Sequence, residues 1–380
     1  MEPISPFENE NYFESTGTRC RYVRVPRVNS VIGKGAFGCV FLVQRESGTP
    51  GHSTDQRFAL KRLHESQTKD MSSREIEALS TIHSPFVCGF VDAQIAGKPF
   101  IVMDYIPSMS LKHTITSLME DRTHANRGNS TKGYLHERVI WKILADCLLG
   151  LYVMHKQEIL HRDIKPSNII DYVDENGDHI PCICDLGFAR HRDNARMTLG
   201  IGTPGYRAPE LFADQPYDTR VDVFALGVTI LELLTTVNYL ALKNDKTGLP
   251  PFLRVSEKKL QVISDQQPTA LVPCSNDLLE VISMMLSTPE RPRVSDLLAT
   301  PPITGYAVFS LRWYLERTMT FNDSETVLRR QQCEEILGLL QKHELFGRIP
   351  EDRVSRRGSH ALLHLDKRVM PPVDNEGGVY

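Results

Sequence analysis

The chain has 380 residues with a formal net charge of −3, and 41% of its residues are hydrophobic. This length can bury a large core or two packed lobes, and the composition is that of an ordinary globular protein. The nearly balanced charge argues against a nucleic-acid partner bound through a broad basic surface. No basic region followed by an apolar stretch comes after Met1, so no secretory signal is expected.

Two further features bear on location. The longest apolar segment, Val221 to Leu234, carries Asp222 and Glu232 and is too short to cross a bilayer, so it predicts a buried helix and no membrane partner. The 8 cysteines are scattered, and no second close pair joins Cys182 and Cys184 to complete a zinc site. Reduced thiols in a cytoplasmic or nuclear protein are therefore predicted.

The amino-terminal part of the chain has a β pattern after a polar leader. Residues 1–20 are predicted to be irregular, and strand-like runs then flank a glycine-rich turn. A third run ends in Phe58-Ala59-Leu60-Lys61. The remaining elements predicted here are a helix over Ser72–Ile82 and strands over Phe86–Val91 and Pro99–Tyr105. Together they predict a small β-rich unit with one helix.

After Pro107 the pattern becomes helical. Leu135–His155 has apolar residues at helical spacing, and the polar insert Glu120–Gly133 before it predicts a surface loop. The helical part continues to about Ile303. Beyond it, Glu325–Leu345 is amphipathic, with Val327, Ile336, Leu339 and Leu340 as its apolar face. This helix is expected to pack on the helical part rather than bind a partner, and residues 348–380 are predicted to be a mobile tail.

The glycine-rich turn fits the pattern G-x-G-x-x-G-x-V over Gly33–Val40. Glycines let the backbone close over phosphates without Cβ atoms in the way, but such glycines also serve ordinary turns. A dinucleotide-binding fingerprint would lead into a helix, whereas this one leads into another strand. Lys61 on the third strand could hold phosphates, and Glu75 on the next helix is placed to pair with it.

The strongest signal is His161-Arg162-Asp163-Ile164-Lys165-Pro166-Ser167-Asn168. Asp163 would accept or orient a hydroxyl proton, and Lys165 would neutralise charge on a transferred phosphoryl group. Asn168 and the later Asp185, in Asp185-Leu186-Gly187, offer oxygen ligands to magnesium. A polar turn after a helix is the alternative, but it does not require every one of these positions to match.

These ordered motifs, closed by Gly202-Thr203-Pro204-Gly205-Tyr206-Arg207-Ala208-Pro209-Glu210, resemble the eukaryotic protein kinase superfamily from about Val25 to Ile303. The resemblance implies an α+β, bilobal protein-kinase fold with a β-rich N-lobe (21–106) and a mainly helical C-lobe (107–304). Residues 305–347 would then be a helical extension. The resemblance also implies ATP and Mg²⁺ as cofactors and protein substrates as partners.

The resemblance implies roles for individual residues. The implied catalytic residues are Asp163, Lys165, Lys61, Glu75 and Thr203, and the implied metal ligands are Asn168 and Asp185. The implied nucleotide-binding residues are Ile32, Gly33, Lys34, Gly35, Ala36, Phe37, Gly38, Cys39, Val40, Ala59, Lys61, Met103, Asp104 and Ile106. Glu210 should pair with Arg291, and Asp222 should hold the backbone of the catalytic loop. Leu186 and Phe224 depart from the usual phenylalanine and tryptophan.

Lys165 and Thr203 resemble the residues of serine/threonine enzymes rather than tyrosine kinases. The alternative to an active enzyme is a pseudokinase scaffold, which the complete set of catalytic residues disfavours. The motifs are similar to those of the replication-origin-firing (DDK) kinases, with NIMA-related kinases as the second candidate. A resemblance at this level implies a cell-cycle or DNA-replication role and an activating regulatory subunit.

Regulation and substrate choice leave alternatives open. Thr198 is either an activating phosphorylation site or an unmodified loop threonine. Ser110 and Ser167 stand where carboxylates would favour an upstream arginine in the substrate. Arg207 either attracts an acidic residue after the target or turns inward to brace its own segment.

Overall fold

The computed structural model describes the greater part of the chain. Its described residues are 11–16, 18–26, 30–35, 38–46, 56–63, 76, 79–95, 97–125, 135–173, 178–186, 189–191, 202–212, 217–236, 254–256, 259–261, 274–287 and 290–342. They fall into two compact units, one holding the residues up to Ile82 together with Cys88–Pro107, and the other holding His83–Val87 and the chain from Ser108.

The first unit is an antiparallel sheet. Its strands are β1 (Tyr12–Glu14), β2 (Arg21–Arg24), β3 (Val31–Gly35), β4 (Gly38–Arg45), β5 (Arg57–Leu63), β6 (Phe90–Gln94) and β7 (Phe100–Asp104). They run in the order β1-β2-β4-β5-β7-β6, and β3 pairs with β4. Because side chains alternate along a strand, the register Val40↔Lys61↔Ile101 places these three residues on one face of the sheet.

The opposite face of the sheet is apolar and is covered by the amino-terminal segment. Phe41, Leu60 and Phe100 lie on this face, and the Phe13 ring lies 5.4 Å from that of Phe41. The prediction that residues 1–20 are irregular is therefore wrong for β1. A three-residue strand is too short to be recognised by alternation, and it forms because Phe13 removes apolar surface from water.

Side-chain hydrogen bonds also connect the segment that follows β1 with β6. The buried carboxylate of Asp92 accepts hydrogen bonds from Ser15 at 3.0 Å and from Tyr22 at 3.0 Å. Burial, followed by the nearby Asp92, raises the pKa of Tyr22 well above its ordinary value, so this phenol stays a donor at physiological pH. The first and last strands of the sheet are thereby held at fixed positions.

Two predicted elements of this unit differ or are only partly described. The strand predicted over Phe86–Val91 begins later, at Phe90, and Phe86 lies in a turn. The helix predicted over Ser72–Ile82 is described at Ile76 and from Leu79 onward. Ile76, Leu79 and Ser80 are helical, but Thr81 lies in a turn and Ile82 lies beyond the helix, so the helix ends earlier than predicted.

The second unit is mainly helical. Its helices are α1 (Leu111–Ala125), α2 (Glu137–Lys156), α3 (Arg220–Thr235), α4 (Asn276–Leu286), α5 (Val294–Leu298), α6 (Pro301–Thr318) and α7 (Ser324–Lys342). The predicted surface loop over Glu120–Gly133 is wrong at its start, because α1 continues to Ala125. Helix α3 is buried along its length, as the apolar run predicted. Among the described residues, no helix is long and apolar enough to span a membrane.

The second unit also contains short strands, and loops connect them. They are β8 (Met109–Ser110), β9 (Ile159–Leu160), β10 (Ile169–Val173), β11 (His179–Ile183), β12 (Arg190–His191), β13 (Arg254–Ser256) and β14 (Lys259–Gln261). The β10–β11 hairpin pairs Ile169 with Ile183, so the chain before β10 and the chain after β11 lie at the same end of the hairpin.

The carboxyl-terminal helices pack on the second unit. Helix α7 packs on α6, and α6 packs on α2. The buried side chains of α7 are Thr326, Arg329, Cys333, Ile336 and Leu340. Of the predicted apolar face, Ile336 and Leu340 are buried and Leu339 is exposed, because the buried stripe is rotated from the one predicted. Helix α6 crosses the boundary predicted at 304, and the predicted tail lies outside the described residues.

Candidate active site

The loop between β9 and β10 is held by a buried carboxylate on α3. Asp222 accepts hydrogen bonds from the backbone N–H groups of His161 at 2.9 Å and Arg162 at 2.8 Å. Arg162 has a φ of 65°, a left-handed conformation that a non-glycine residue adopts at an energetic cost. The two hydrogen bonds that Asp222 accepts hold the backbone in that conformation. This is the role that the sequence predicted for Asp222.

The sequence did not predict the contribution of His155. Its Nε2 lies 2.9 Å from Asp222 Oδ2, at the carboxyl end of α2. Burial alone would raise the pKa of Asp222, but the hydrogen bond and charge of His155 and the backbone of Arg162 outweigh it and lower that pKa below its ordinary value. Asp222 is therefore an anion that is matched by donors rather than an isolated buried charge.

The carboxylate of Asp163 is surrounded by donors from three predicted site residues. Lys165 Nζ donates to Asp163 Oδ2 at 2.8 Å and to Thr203 Oγ1 at 2.7 Å. Thr203 donates to Asp163 Oδ1 through its hydroxyl at 2.8 Å and its backbone N–H at 2.9 Å. Asn168 Nδ2 donates to Asp163 Oδ2 at 3.0 Å. The structure thus brings Asp163, Lys165, Asn168 and Thr203 together around one carboxylate, which is 3% exposed as a residue.

The predicted metal ligands lie on the two chain segments that flank the β10–β11 hairpin. Because the amide nitrogen of Asn168 bonds to Asp163, its carbonyl oxygen is the atom suited to a cation. Cys184 N–H donates to Asn168 O at 2.8 Å, which places the residue before Asp185 directly beside Asn168. No group of three or more His, Cys, Asp or Glu that could hold a metal occurs in the described part of the chain. A magnesium ion would be held by these two residues and by phosphate oxygens.

The segment after Gly202 packs closely against the catalytic loop. Gly202 has a φ of +87°, and a Cβ at this position would lie 2.6 Å from the carbonyl oxygen of Arg162. Only glycine therefore allows this approach. Arg207 Nε donates to Gly202 O at 2.7 Å, so its guanidinium braces its own segment. Burial lowers the pKa of Arg207 despite the opposing charge of Asp163.

The end of this segment is anchored by the predicted ion pair. Arg291, whose side chain is 2% exposed, bonds to the carboxylate of Glu210 and donates to Arg220 O at 3.0 Å. Its guanidinium carbon lies 4.9 Å from the ring centroid of Phe224. Phe224 therefore supplies an aromatic face at the position where the sequence departs from the expected tryptophan.

A buried glutamate to which the sequence assigned no role contacts the segment after Gly202. Glu232 on α3 accepts a hydrogen bond from the hydroxyl of Tyr206 and another from Lys112 Nζ at 2.9 Å. Its side chain is 0% exposed. The signal in the sequence was a charged residue within an apolar helical run, since such a residue must find partners when buried.

The predicted nucleotide-binding residues belong to the first unit. Ala59, Lys61, Met103 and Ile106 are buried, and Ala59 pairs with Met103 between β5 and β7. The glycine-rich turn joins β3 and β4 as predicted, with Ile32, Gly33, Lys34 and Gly35 on β3 and Gly38, Cys39 and Val40 on β4. Ala36, Phe37, Glu75 and Thr198 lie outside the described residues.

Gly38 is the position of this turn where glycine is required. It has a φ of +138°, and an added Cβ would lie 1.9 Å from the carbonyl oxygen of Arg62. Asp104 N–H donates to Gly89 O at 2.9 Å, which fixes the end of β7 at one of the residues implied to bind the nucleotide. Lys61 lies on the same face of the sheet as Val40, and its ammonium is a group suited to phosphate oxygens.

Comparisons with known proteins agree with this arrangement. The family profile described as the protein kinase domain matches residues 27–301. The chain is 27% identical over 288 residues to serine/threonine-protein kinase nekl-2 of Caenorhabditis elegans, with 73% of this chain and 74% of that protein covered. It is 30% identical to serine/threonine-protein kinase 36 of Pongo abelii over 73% of this chain and 19% of that protein.

A third relative is MAP kinase kinase MKK1/SSP32 of Saccharomyces cerevisiae, which is 31% identical over 53% of this chain and 37% of its own length. The chain thus spans about three quarters of the first of these relatives and well under half of the other two.

Proposed function

The chain belongs to the protein kinase domain family, and from this premise we propose that it transfers the γ-phosphoryl group of ATP to serine or threonine hydroxyls of proteins. The observation that carries the proposal is the set of donors around Asp163. A carboxylate held by Lys165 and Thr203 is oriented to accept a hydrogen bond from an incoming hydroxyl. In phosphoryl transfer, positioning and charge supply most of the catalysis.

Each of these residues has a distinct part in the proposed reaction. Asp163 orients the acceptor hydroxyl and takes its proton, while Lys165 offsets the negative charge that develops on the transferred group. Thr203 fixes the angle between them, because its hydroxyl bonds to both. A lysine and a threonine in these places are the residues on which the proposed serine/threonine specificity depends.

The proposed cofactors are ATP and Mg²⁺. ATP supplies the phosphoryl group, and a bound Mg²⁺ would neutralise its β- and γ-oxygens. Asn168 and Asp185 would hold the metal in the second unit. The glycine-rich turn, Lys61 and the backbone of Asp104 and Ile106 would hold the nucleotide in the first. Glu75 is proposed as the ion-pair partner of Lys61.

A pseudokinase scaffold is the alternative on the same fold. It would preserve Asp222 and the Glu210–Arg291 pair, since these support the fold, but it would have no need for the Asp163, Lys165 and Thr203 arrangement. The contacts of Asp163 therefore favour turnover over binding alone.

The test is phosphorylation of a degenerate serine/threonine peptide library by the purified protein with MgATP. Asp163→Asn, Asp185→Asn and Lys61→Met are each expected to lower the rate by at least about 100-fold while circular dichroism and the melting temperature stay unchanged. A wild-type protein that binds ATP but phosphorylates nothing would support the scaffold instead. Near-normal turnover in any variant would remove the role assigned to that residue.

The subfamily remains a proposal. The similarity to nekl-2 is consistent with the NIMA-related alternative more than with the DDK alternative, and a cell-cycle role would follow from either. An activating regulatory subunit belongs to the DDK alternative alone. The contact of Arg207 with Gly202 removes the main argument for a preference for acidic residues after the target, and the library would detect that preference if it exists. All 8 cysteines lie among the described residues and none forms a disulfide, which supports a reducing cytoplasmic or nuclear location.

A further inference from the structure

Helix α7 lies beyond the residues that match the kinase family, which end at 301. It packs on α6 through its buried stripe, and Lys156 at the end of α2 pairs with Glu335 on its outer side. Nothing in the proposed chemistry requires this helix. Its first turn, however, contacts the segment His83–Val87, which is hydrogen-bonded to strand β11.

The contact is made by Glu325. Its Oε2 lies 3.0 Å from His83 Nδ1, and its Oε1 accepts a hydrogen bond from Arg329 Nε at 2.7 Å. Arg329 is buried, with a side chain that is 5% exposed, so it fixes the glutamate in one orientation. His83 is 242 positions away in sequence, and it begins the short segment His83–Val87 of the second unit.

That segment is attached to the strand that leads to Asp185. Ile183 N–H donates to Phe86 O at 2.9 Å, and Val87 forms a parallel bridge with the same residue. The same carbonyl oxygen lies against α2, so closely that a Cβ on Gly150 would lie 2.8 Å from Phe86 O. A shift of the segment away from α2 would therefore pull on Ile183, two residues before Asp185.

We propose that Glu325 is a positioning residue, which acts through His83 and the Phe86–Ile183 hydrogen bond to hold Asp185 in place for the nucleotide-bound metal. The assignment to the metal rests on the proposed kinase function, whereas the mechanical connection does not. Helix α7 is then an internal support of the active site rather than a passive flank. The contact between His83 and Glu325 is partly exposed, with side chains 24% and 44% accessible, so its effect is modest.

The test uses the full chain with Glu325→Gln, His83→Gln and the double variant. Glu335→Gln is the matched control, because it makes the same change on the same helix but breaks the pair with Lys156. Hydrogen exchange at the Ile183 amide measures the opening of its bond to Phe86 directly. Glu325→Gln and His83→Gln should each speed this exchange by about two- to fivefold, and the double variant should show no further increase.

Kinetics provide the second measurement. Glu325→Gln should raise the KM for MgATP by a similar factor, while the KM for peptide and the melting temperature stay unchanged. Unchanged exchange at Ile183, or an equal increase in Glu335→Gln, would overturn the connection. Faster exchange without a change in the KM for MgATP would overturn the positioning role. If the wild-type protein phosphorylates no peptide, the kinase function fails, and the exchange result still decides whether the connection exists.

Discussion

The hydroxyl of Thr203 offers the sharpest test of the active-site geometry. Thr203→Val keeps the branched shape and nearly the volume of the side chain but removes the oxygen that lies 2.7 Å from Lys165 Nζ and 2.8 Å from Asp163 Oδ1. A hydrogen bond to a charged group contributes about 1.5–3 kcal/mol. The valine variant loses both of these hydrogen bonds, whereas the backbone N–H of Thr203 still donates to Asp163. Because the loss of even one such bond corresponds to a decrease of about 10- to 150-fold, kcat/KM should fall by at least about 10-fold.

The assay is steady-state phosphorylation of the best library peptide at saturating MgATP. Thr203→Ser restores the hydroxyl and is the matched control, which should stay within about threefold of wild type. The melting temperature of the valine variant should be unchanged, because Thr203 is only partly buried. A valine variant with wild-type kcat/KM would show that the hydroxyl does not orient Asp163 and Lys165. Equal losses in the serine and valine variants would point to backbone disturbance instead.

Three further predictions concern stability. Phe13→Ala should lower the free energy of unfolding, measured in urea, by about 3 kcal/mol because the ring is buried against Phe41. Tyr12→Ala, at a 54% exposed position, should change it by less than about 0.5 kcal/mol. Equal effects of the two substitutions would contradict the covering role of β1. Because the pKa of Asp222 is lowered in the folded state, its contribution to the free energy of unfolding is present above the unfolded-state pKa of about 3.9 and is lost as pH falls through the folded-state pKa. The difference in unfolding free energy between wild type and Asp222→Asn should therefore narrow below about pH 4. A difference that is constant down to about pH 2 would contradict this. Arg291→Met should lower the free energy of unfolding by about 3–5 kcal/mol because it leaves Glu210 without its buried partner. A change below about 1 kcal/mol in urea unfolding would show that the pair does not stabilise the fold.

The residues of the catalytic loop could be found from sequence because their relation is local. Asp163, Lys165 and Asn168 occupy one short loop, so their separation along the chain is small enough for their side chains to meet. The hairpin then returns the chain so that Asp185 follows beside Asn168. The helical and strand patterns were likewise sufficient for the α+β class, since period 2 and period 3.6 are properties of short windows.

Contacts between distant parts of the chain were not visible in any such window. Strand β1 has three residues, and only the apolar face that Phe13 covers gives it a reason to form. Glu232 was evident as a charge in an apolar helix, but its partners Lys112 and Tyr206 come from other elements. His83 and Glu325 meet only because α6 and α7 fold back over α2. The sequence by itself determined which chemical groups the protein carries and the local order in which they act. The tertiary structure alone decided which buried polar groups are paired and what supports the loop before Asp185, because desolvation and packing depend on neighbours that are far apart in the chain.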